Sequence, residues 1–221
     1  VIRENDSEKA KPEQIQMFLN KEIDQINVNE LAKNWDWTNV NGATYLTSPE
    51  GQGGCGSCYI FSTVGSLEAR LRVLTNLEDK TEFSRQFPVS CNFYTEGCKG
   101  GFPYLVAKFF NEFEIIPNEC FKYKAHNDVC SNVCDYKKNP KKYTVSRYEF
   151  LGGFYGNSSE EDILKEVRAR GPMPGHIKVN EFFMNYKSGI FTMGELFKLN
   201  DTSPSKETLW SRNMTFESLS H

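Results

Sequence analysis

Long apolar runs are missing from this sequence of 221 residues. A helix that crosses a bilayer needs about 20 consecutive, mainly apolar residues, and no stretch of the chain approaches that length. An excess of charge of one sign is also missing, because the formal net charge is only -3. Proteins that bind nucleic acid usually carry a strong basic excess. The sequence therefore predicts no membrane span and no nucleic acid as a main partner.

Histidine is scarce, and His126, His176 and His221 are the only three. Few histidines mean few candidates for a general base that titrates near neutral pH. The sequence also lacks internal repeats and low-complexity tracts. Its length suits one domain of moderate size or two small lobes.

Cysteine is well represented, with seven residues, and two of them lie in the segment Gln52-Gly-Gly-Cys55-Gly-Ser-Cys58-Tyr59. Apolar side chains at helical spacing follow in residues 60–75, so Cys58 opens a predicted amphipathic helix. A thiol at a helix N-terminus faces unpaired N–H groups and the positive end of the helix dipole, which favour the nucleophilic thiolate. Gln52 is close enough along the chain to donate its amide to an oxyanion beside Cys58. The segment predicts a cysteine nucleophile with Gln52 in the oxyanion hole.

Two other kinds of site share the Cys55-Gly-Ser-Cys58 spacing. One is a redox pair, although such pairs follow a strand and no strong strand pattern precedes this segment. The other is half of a zinc site, with Cys130 and Cys134 as the second half. The odd number of cysteines is most simply explained by six in disulfides and one free thiol. We therefore favour the nucleophile and retain the other two sites as alternatives.

Periodicity predicts helices at residues 58–75, near residues 84–87 and at residues 103–113. A further helix is expected with Ser158 or Ser159 as N-cap, Glu161 or Asp162 closing a capping box, and Gly171-Pro172 as its end. Residues 143–150 alternate as a half-exposed strand does, and a second strand is expected to open at residues 189–191.

The sequence resembles the papain family of cysteine proteases over about residues 31 to 221. The resemblance rests on the nucleophile segment and on Trp35-Asp-Trp-Thr-Asn-Val40, Val89-Ser-Cys91 and Gly97-Cys-Lys-Gly-Gly101. Similarity to the cathepsin C branch, the dipeptidyl peptidases, rests on Tyr59, Glu68-Ala-Arg70, Gly101-Phe-Pro-Tyr104 and Gly152-Gly-Phe-Tyr-Gly156. The resemblance implies an α+β, papain-like fold of two lobes, one helical and one a β-barrel that is incomplete in this chain.

A domain division follows from the same resemblance. Residues 1–30 are expected to be a propeptide or activation-segment remnant, with a loosely ordered linker as the alternative. Residues 31–138 are expected to form the helical lobe, and residues 139–221 the first part of the barrel with an inserted loop at residues 192–217. The chain starts at Val1 without an apolar signal region, which suggests a processed piece of a secretory precursor. The rest of the barrel is expected in a second polypeptide.

The family pattern also implies roles for individual residues. Cys58 is expected to be the nucleophile and His221 its general base, with the orienting Asn outside this chain. Gly100 and Gly101 are expected to let an extended substrate approach the backbone. His176 replaces a small apolar residue in the wall of the S2 pocket, where it either tunes specificity or only packs. His126 is interpreted as a solvated surface residue.

Chloride is the one ion that the resemblance suggests. Phe102 and Tyr104 match residues that bind chloride beneath the S2 pocket in the cathepsin C branch. A tyrosine of that neighbourhood corresponds to Phe150, which has no hydroxyl. The chemistry itself is expected to need no cofactor and no metal.

The resemblance pairs Cys55 with Cys98, Cys91 with Cys130, and Cys120 with Cys134, and leaves Cys58 free. Disulfides imply an oxidising compartment. The acceptor pattern for N-glycosylation occurs at four places: Asn5, Asn157, Asn200 and Asn213. The expected location is the lysosome, a vacuole or another compartment of the secretory pathway, or the outside of the cell.

The activity implied is that of a thiol peptidase that releases dipeptides from free N-termini of peptides and proteins. Such an enzyme needs an exclusion domain, which is expected in a separate chain or another part of the precursor; assembly into an oligomer is compatible with this. One alternative is an endopeptidase with an open cleft. The other is a catalytically silent papain-fold subunit that serves as a binding partner.

Overall fold

The computed structural model describes residues 2–4, 23–32, 35–131, 134, 141–176 and 181–187. Described residues up to Pro174 belong to one compact unit, and those from Gly175 onward belong to a second. The helices are α1 (Cys58–Leu74), α2 (Gln86–Cys91), α3 (Pro103–Glu112), α4 (Glu160–Arg170) and α5 (Glu181–Met184). The strands are β1 (Ile2–Glu4) and β2 (Tyr143–Val145), and single 3-10 turns span Ile23–Gln25, Val28–Glu30, Gly97–Lys99 and Asn118–Cys120.

The core of the first unit forms around α1, which was predicted from its apolar spacing. Ile60, Val64 and Leu71 lie on the inward face of the helix and are fully buried. They belong to one apolar cluster with aromatic residues of α3, Phe109 and Phe110. Burying a side chain of this size contributes about 1.5–3 kcal/mol relative to leaving it exposed. This packing fixes the direction of α1 and therefore the place where its first residue, Cys58, emerges.

Helix α3 begins at Pro103, which suits the first helical position because proline lacks the N–H that would be unpaired there. A short helix was predicted near residues 84–87, but α2 begins at Gln86. Ser84 precedes the helix, and its hydroxyl accepts a hydrogen bond from the Phe87 N–H at 3.0 Å. Ser84 therefore precedes the helix and supplies an acceptor to an N–H of its first turn.

Helix α4 has the predicted capping box. The Ser159 hydroxyl accepts from the Asp162 N–H at 3.0 Å, and the Asp162 carboxylate accepts from the Ser159 N–H at 3.2 Å. The helix ends at Arg170, and Gly171 follows with φ of +102°, a backbone conformation that favours glycine. Ala169 on this helix packs against Ile26, which is 1% exposed, so residues near position 26 are part of the core.

Within the described ranges the sheet is one antiparallel pair, in which Ile2, Arg3 and Glu4 lie opposite Val145, Thr144 and Tyr143. The strand predicted over residues 143–150 is confirmed only as far as Val145. Ser146 and Arg147 are both exposed, which ends the alternation. Together with the helices, this pair makes the described structure α+β. Among the described residues, no helix combines the length and the apolar character that crossing a membrane requires.

Three disulfides join Cys55 to Cys98, Cys91 to Cys130, and Cys120 to Cys134. These are the pairs that the resemblance implied. Each such crosslink typically stabilises a folded chain by about 2–4 kcal/mol, mainly by restricting the unfolded state.

A buried ion pair connects α1 to the segment before α2. Glu68 is fully buried, and both of its carboxylate oxygens accept hydrogen bonds from the Arg85 guanidinium, at 2.6 and 2.9 Å. The Phe83 N–H and the Thr47 hydroxyl donate to the same carboxylate at 2.7 and 3.0 Å. Burial raises the pKa of Glu68, while Arg85 and the other donors act in the opposite direction.

We expect Glu68→Gln to lower the free energy of unfolding by about 3 kcal/mol, because it leaves the buried Arg85 cation without its main counter-charge. Chemical denaturation measures the change. Glu78→Gln is the control, since Glu78 is exposed and such a surface change shifts stability by about 0.5 kcal/mol or less. Equal unfolding midpoints for the two variants would show that the pair contributes nothing.

A second buried carboxylate, Asp79, holds the start of β2. It accepts from the Tyr143 hydroxyl at 2.8 Å, from the Lys141 ammonium at 2.9 Å, and from the Thr81 N–H and hydroxyl at 3.0 and 2.7 Å. Burial opposes ionisation of Asp79, but these hydrogen bonds outweigh it and lower its pKa to about 2.

The pKa of Asp79 in the folded protein lies below 3.8, the value that this carboxyl has in an unfolded chain. Its contribution to stability is therefore present above about pH 4 and is lost as the pH falls from there toward 2. We expect Asp79→Asn to be less stable than the wild type at pH 6 and to lose less stability between pH 4 and pH 2. Denaturant titrations across this pH range test this, and parallel curves for the two proteins would contradict it.

Candidate active site

Cys58 is the first residue of α1, forms no disulfide and is partly exposed. The first N–H groups of a helix have no acceptor within the helix, so a thiol in this position lies beside hydrogen-bond donors. The preceding residue, Ser57, is completely buried. The helix start is therefore anchored on one side while the thiol remains accessible on the other.

The loop that leads to Cys58 is held against the segment around Cys98. The Cys55–Cys98 disulfide joins the two segments, and the Gly56 N–H donates to the Cys98 carbonyl at 2.8 Å. A Cβ at Gly56 would lie 2.7 Å from that carbonyl oxygen, which is closer than real side chains approach. Glycine is therefore required here for the two backbones to meet.

Tyr59 contacts glycines on both sides of Cys98. Its side chain is 2% exposed, and its hydroxyl donates to the Gly97 carbonyl at 2.9 Å. A Cβ at Gly101 would lie 2.6 Å from the Tyr59 ring, whereas one at Gly100 would meet nothing within 4 Å. Gly101 is thus required because the Tyr59 ring leaves no room for a side chain. Gly100, with φ of +120°, faces open space.

Gln52 lies in the same loop and is held at two points. Its side-chain amide donates to the Cys55 carbonyl at 3.0 Å, and its own carbonyl accepts from the Tyr123 hydroxyl at 2.7 Å. The oxygens of Tyr123 and Ser57 lie 2.6 Å apart. The structure therefore brings Gln52 and the residue before Cys58 to one tyrosine. Sequence reasoning missed both partners: Ser57 had no role assigned within the motif, and Tyr123 belongs to no local pattern.

The far end of the nucleophile loop rests on the buried ion pair. The Thr47 hydroxyl donates to Glu68, and a Glu50 carboxylate oxygen lies 3.2 Å from Nε of Arg85. That nitrogen makes no hydrogen bond of good geometry, so the Glu50 contact is an electrostatic one. The charge pair in the core thus supports the loop that carries Gln52.

Aromatic rings surround Tyr104 near the start of α3. Phe150 stacks on it with ring centres 4.5 Å apart, and Tyr148 meets it edge-on at 4.9 Å. Phe102 is 48% exposed. Phe150 contributes a ring face and no hydroxyl to this cluster, which leaves chloride near Phe102 and Tyr104 as a prediction.

The remaining predicted residues fall in different parts of the chain. His126 is exposed, with Nδ1 2.9 Å from the Lys124 carbonyl oxygen. His176 belongs to the second unit, and its partial burial lowers its pKa and favours the neutral ring. Asn157 lies in an exposed loop. The other predictions lie outside the described residues: His221, Asn5, Asn200, Asn213, the strand at residues 189–191 and the loop at residues 192–217.

The disulfides argue against both alternative sites for Cys55 and Cys58. Cys55 is bonded to Cys98 and not to Cys58, so the two do not form a redox pair. Cys130 and Cys134 are bonded to Cys91 and Cys120, so they offer no thiolates to zinc. Cys58 is thus the one cysteine outside the disulfides, and it lies at a helix start, a position that favours a thiolate.

Comparisons with known proteins identify relatives of the chain. The family model described as papain family cysteine protease matches residues 31–203. A cathepsin C of Schistosoma mansoni is 35% identical over 160 residues, covering 71% of this chain and 35% of the relative. A dipeptidyl aminopeptidase 1 of Plasmodium falciparum is 35% identical over 240 residues, covering 78% of this chain and 34% of the relative. The chain thus spans about a third of the length of these curated relatives.

Among solved structures, a Carica candamarcensis cysteine protease in complex with E-64 is 28% identical, covers 40% of each chain and gives a TM-score of 0.38. A score of this size adds nothing to the family assignment, which rests on the family model and the curated relatives. Since that model matches most of the sequence, the chain belongs to the papain family of cysteine proteases and has its α+β fold.

Proposed function

We propose that the protein hydrolyses peptide bonds with Cys58 as nucleophile and Gln52 as a donor in the oxyanion hole. The observation that carries the proposal is a partly exposed cysteine outside every disulfide, at the start of α1 and beside a loop fixed by the Cys55–Cys98 disulfide. Family membership supports it. His221 is proposed as the general base because it follows Glu217-Ser-Leu-Ser, which resembles the segment before the family's catalytic histidine.

The chemistry follows from these positions. The Cys58 thiolate attacks the substrate carbonyl carbon, and the carbonyl oxygen becomes an oxyanion that the Gln52 amide stabilises. His221, which took the proton of the Cys58 thiol, then gives it to the leaving amine as the C–N bond breaks. An acyl group remains on the Cys58 sulfur. Water, deprotonated by the same imidazole, attacks the thioester and releases the acid and the thiolate. Gly100 offers its backbone to the substrate on the open side described above.

The finer proposal is that the protein removes dipeptides from free N-termini. Support comes from the cathepsin C and dipeptidyl aminopeptidase 1 relatives and from the motifs around Tyr59 and Tyr104. A protonated amine must be held by a fixed carboxylate, because burying it unpaired costs several kcal/mol. We propose that this carboxylate belongs to an exclusion domain outside these residues. The protein would then act together with that domain and with the remainder of the barrel.

The secretory pathway, including the lysosome or a vacuole, is the proposed location. Three disulfides require an oxidising compartment during folding. Asn157 supports the same location, since it lies in an exposed loop where the glycosylation machinery can reach an acceptor.

We expect Cys58→Ser to reduce peptide hydrolysis by about 1,000-fold or more, since a serine in place of the thiolate is a far weaker nucleophile. Iodoacetamide should alkylate the wild-type protein once and the variant not at all. The control is the unfolding midpoint, which should agree within error between the two proteins. Residual turnover above a few per cent would remove Cys58 from the mechanism.

Acetylating the N-terminus of a good dipeptide substrate should reduce its cleavage by about 100-fold or more, since the site for the amine then lacks its partner. Release of a fluorescent amide from matched free and acetylated dipeptides measures this with the full-length protein. Equal rates would identify an endopeptidase with an open cleft. Single alkylation of Cys58 without cleavage of any peptide would favour a silent binding subunit.

A further inference from the structure

We infer that Tyr123 is a positioning residue for the oxyanion hole, acting through the main chain of Gln52. The inference rests on the proposed function, because it assumes that Gln52 stabilises an oxyanion beside Cys58. The hydrogen bonds of the Tyr123 hydroxyl go to Gln52 and Ser57, and neither Cys55 nor Gly100 is among its partners. Its hydroxyl reaches the nucleophile loop at two points.

The direction of the hydrogen bonds follows from counting protons. A phenol has one O–H, and the Gln52 carbonyl, 2.7 Å away, can only accept. The Tyr123 proton is therefore directed to Gln52. The Ser57 hydroxyl, 2.6 Å from the Tyr123 oxygen, must then donate to it. The 3.4 Å contact between the Ser57 hydroxyl and the Cys55 carbonyl consequently lacks a proton.

The position of Gln52 depends on the bond from Tyr123, because few other contacts hold the surrounding loop. Gly51, Gly53 and Gly54 flank it, are exposed, and add conformational freedom to the unbound loop. Among the described residues, no hydrogen bond between main-chain groups involves residues 51–54. Gln52 is therefore held by its side-chain bond to the Cys55 carbonyl and by the bond from Tyr123. Removing the second releases its peptide group.

Tyr123 itself sits on a rigid frame. Its ring meets Phe61 of α1 edge-on, with centres 4.9 Å apart. On one side, buried Cys120 is tied to Cys134. On the other, the Lys124 N–H donates to the buried Gln86 side chain at 2.8 Å. The hydroxyl of Tyr123 therefore has a fixed position relative to α1, and its hydrogen bond fixes the Gln52 carbonyl at that position.

An oxyanion donor must lie within about 2.7–3.1 Å of the developing charge, and losing one donor lowers kcat by about 100- to 1,000-fold. Loosening a donor should cost less than deleting it. We therefore expect Tyr123→Phe to lower kcat by about 10-fold while KM changes by less than about 2-fold, because substrate binding does not depend on the oxyanion donor. The affinity for a peptide aldehyde, which forms an oxyanion on Cys58, should fall by a similar factor.

The test compares Tyr123→Phe with Tyr94→Phe in the full-length protein. Tyr94 is the matched control, since its hydroxyl bonds to Glu112 in an exposed contact instead of to the nucleophile loop. Alkylation of Cys58 by iodoacetamide forms no oxyanion, so its rate should be the same in both variants and the wild type. In a Gln52→Ala background, Tyr123→Phe should have no further effect on kcat, because the two changes act through one group.

A loss of kcat that persists in the Gln52→Ala background would overturn the inference, as would a parallel loss of the alkylation rate. Both would mean that Tyr123 acts through the thiol or the fold. If the wild type cleaves no peptide, the proposed function fails separately. In that case the anchor is still tested by limited proteolysis in a Cys58→Ser background, where Tyr123→Phe should speed cleavage within residues 51–54 and Tyr94→Phe should not.

Discussion

The close approach of two backbone segments, at Cys55-Gly56 and at Cys98, is the constraint on which the site depends. The disulfide joins the segments, the Gly56 N–H donates to the Cys98 carbonyl, and only a glycine leaves room for this contact. Cys58 follows directly and starts α1, whose apolar face is buried in the core. The thiol is thus placed by a covalent crosslink on one side and by helix packing on the other.

Buried polar groups extend this constraint to the rest of the loop. Glu68 and Arg85 form a charge pair inside the core, and Thr47 donates to it. Tyr123 binds the stretch nearer to Cys58 through Gln52 and Ser57. A low-dielectric setting makes each of these bonds expensive to break. The loop can therefore contain several glycines without losing a defined position for its glutamine.

Local chemistry explains which elements could be predicted. The capping box of α4 needs only Ser159 and Asp162, and the start of α3 needs only Pro103, so sequence alone placed both. The prediction placed helix α2 too early in the chain, because Ser84 precedes the helix and its hydroxyl accepts from the Phe87 N–H. The predicted strand was longer than β2. Ser146 and Arg147 are both exposed, so the alternation of buried and exposed residues stops there, although Tyr148 and Phe150 continue it in the sequence.

Contacts between distant residues could not be predicted in this way. Tyr123 and Gln52 are far apart in sequence, and no local pattern around Tyr123 signals the bond between them. The packing of Ile26 against Ala169 is of the same kind. By contrast, the disulfide pairs followed from resemblance, because six cysteines allow many pairings and only a family pattern selects one.

We propose that Cys58 attacks the substrate carbonyl while Gln52 stabilises the oxyanion. A crystal structure of the full-length protein with a bound peptide aldehyde tests it directly. We expect a covalent bond from the Cys58 sulfur to the aldehyde carbon, and the Gln52 amide nitrogen about 2.7–3.1 Å from the former aldehyde oxygen. An aldehyde bonded to Cys58 with its oxygen turned away from Gln52 would contradict the account, and so would an aldehyde that leaves Cys58 unmodified.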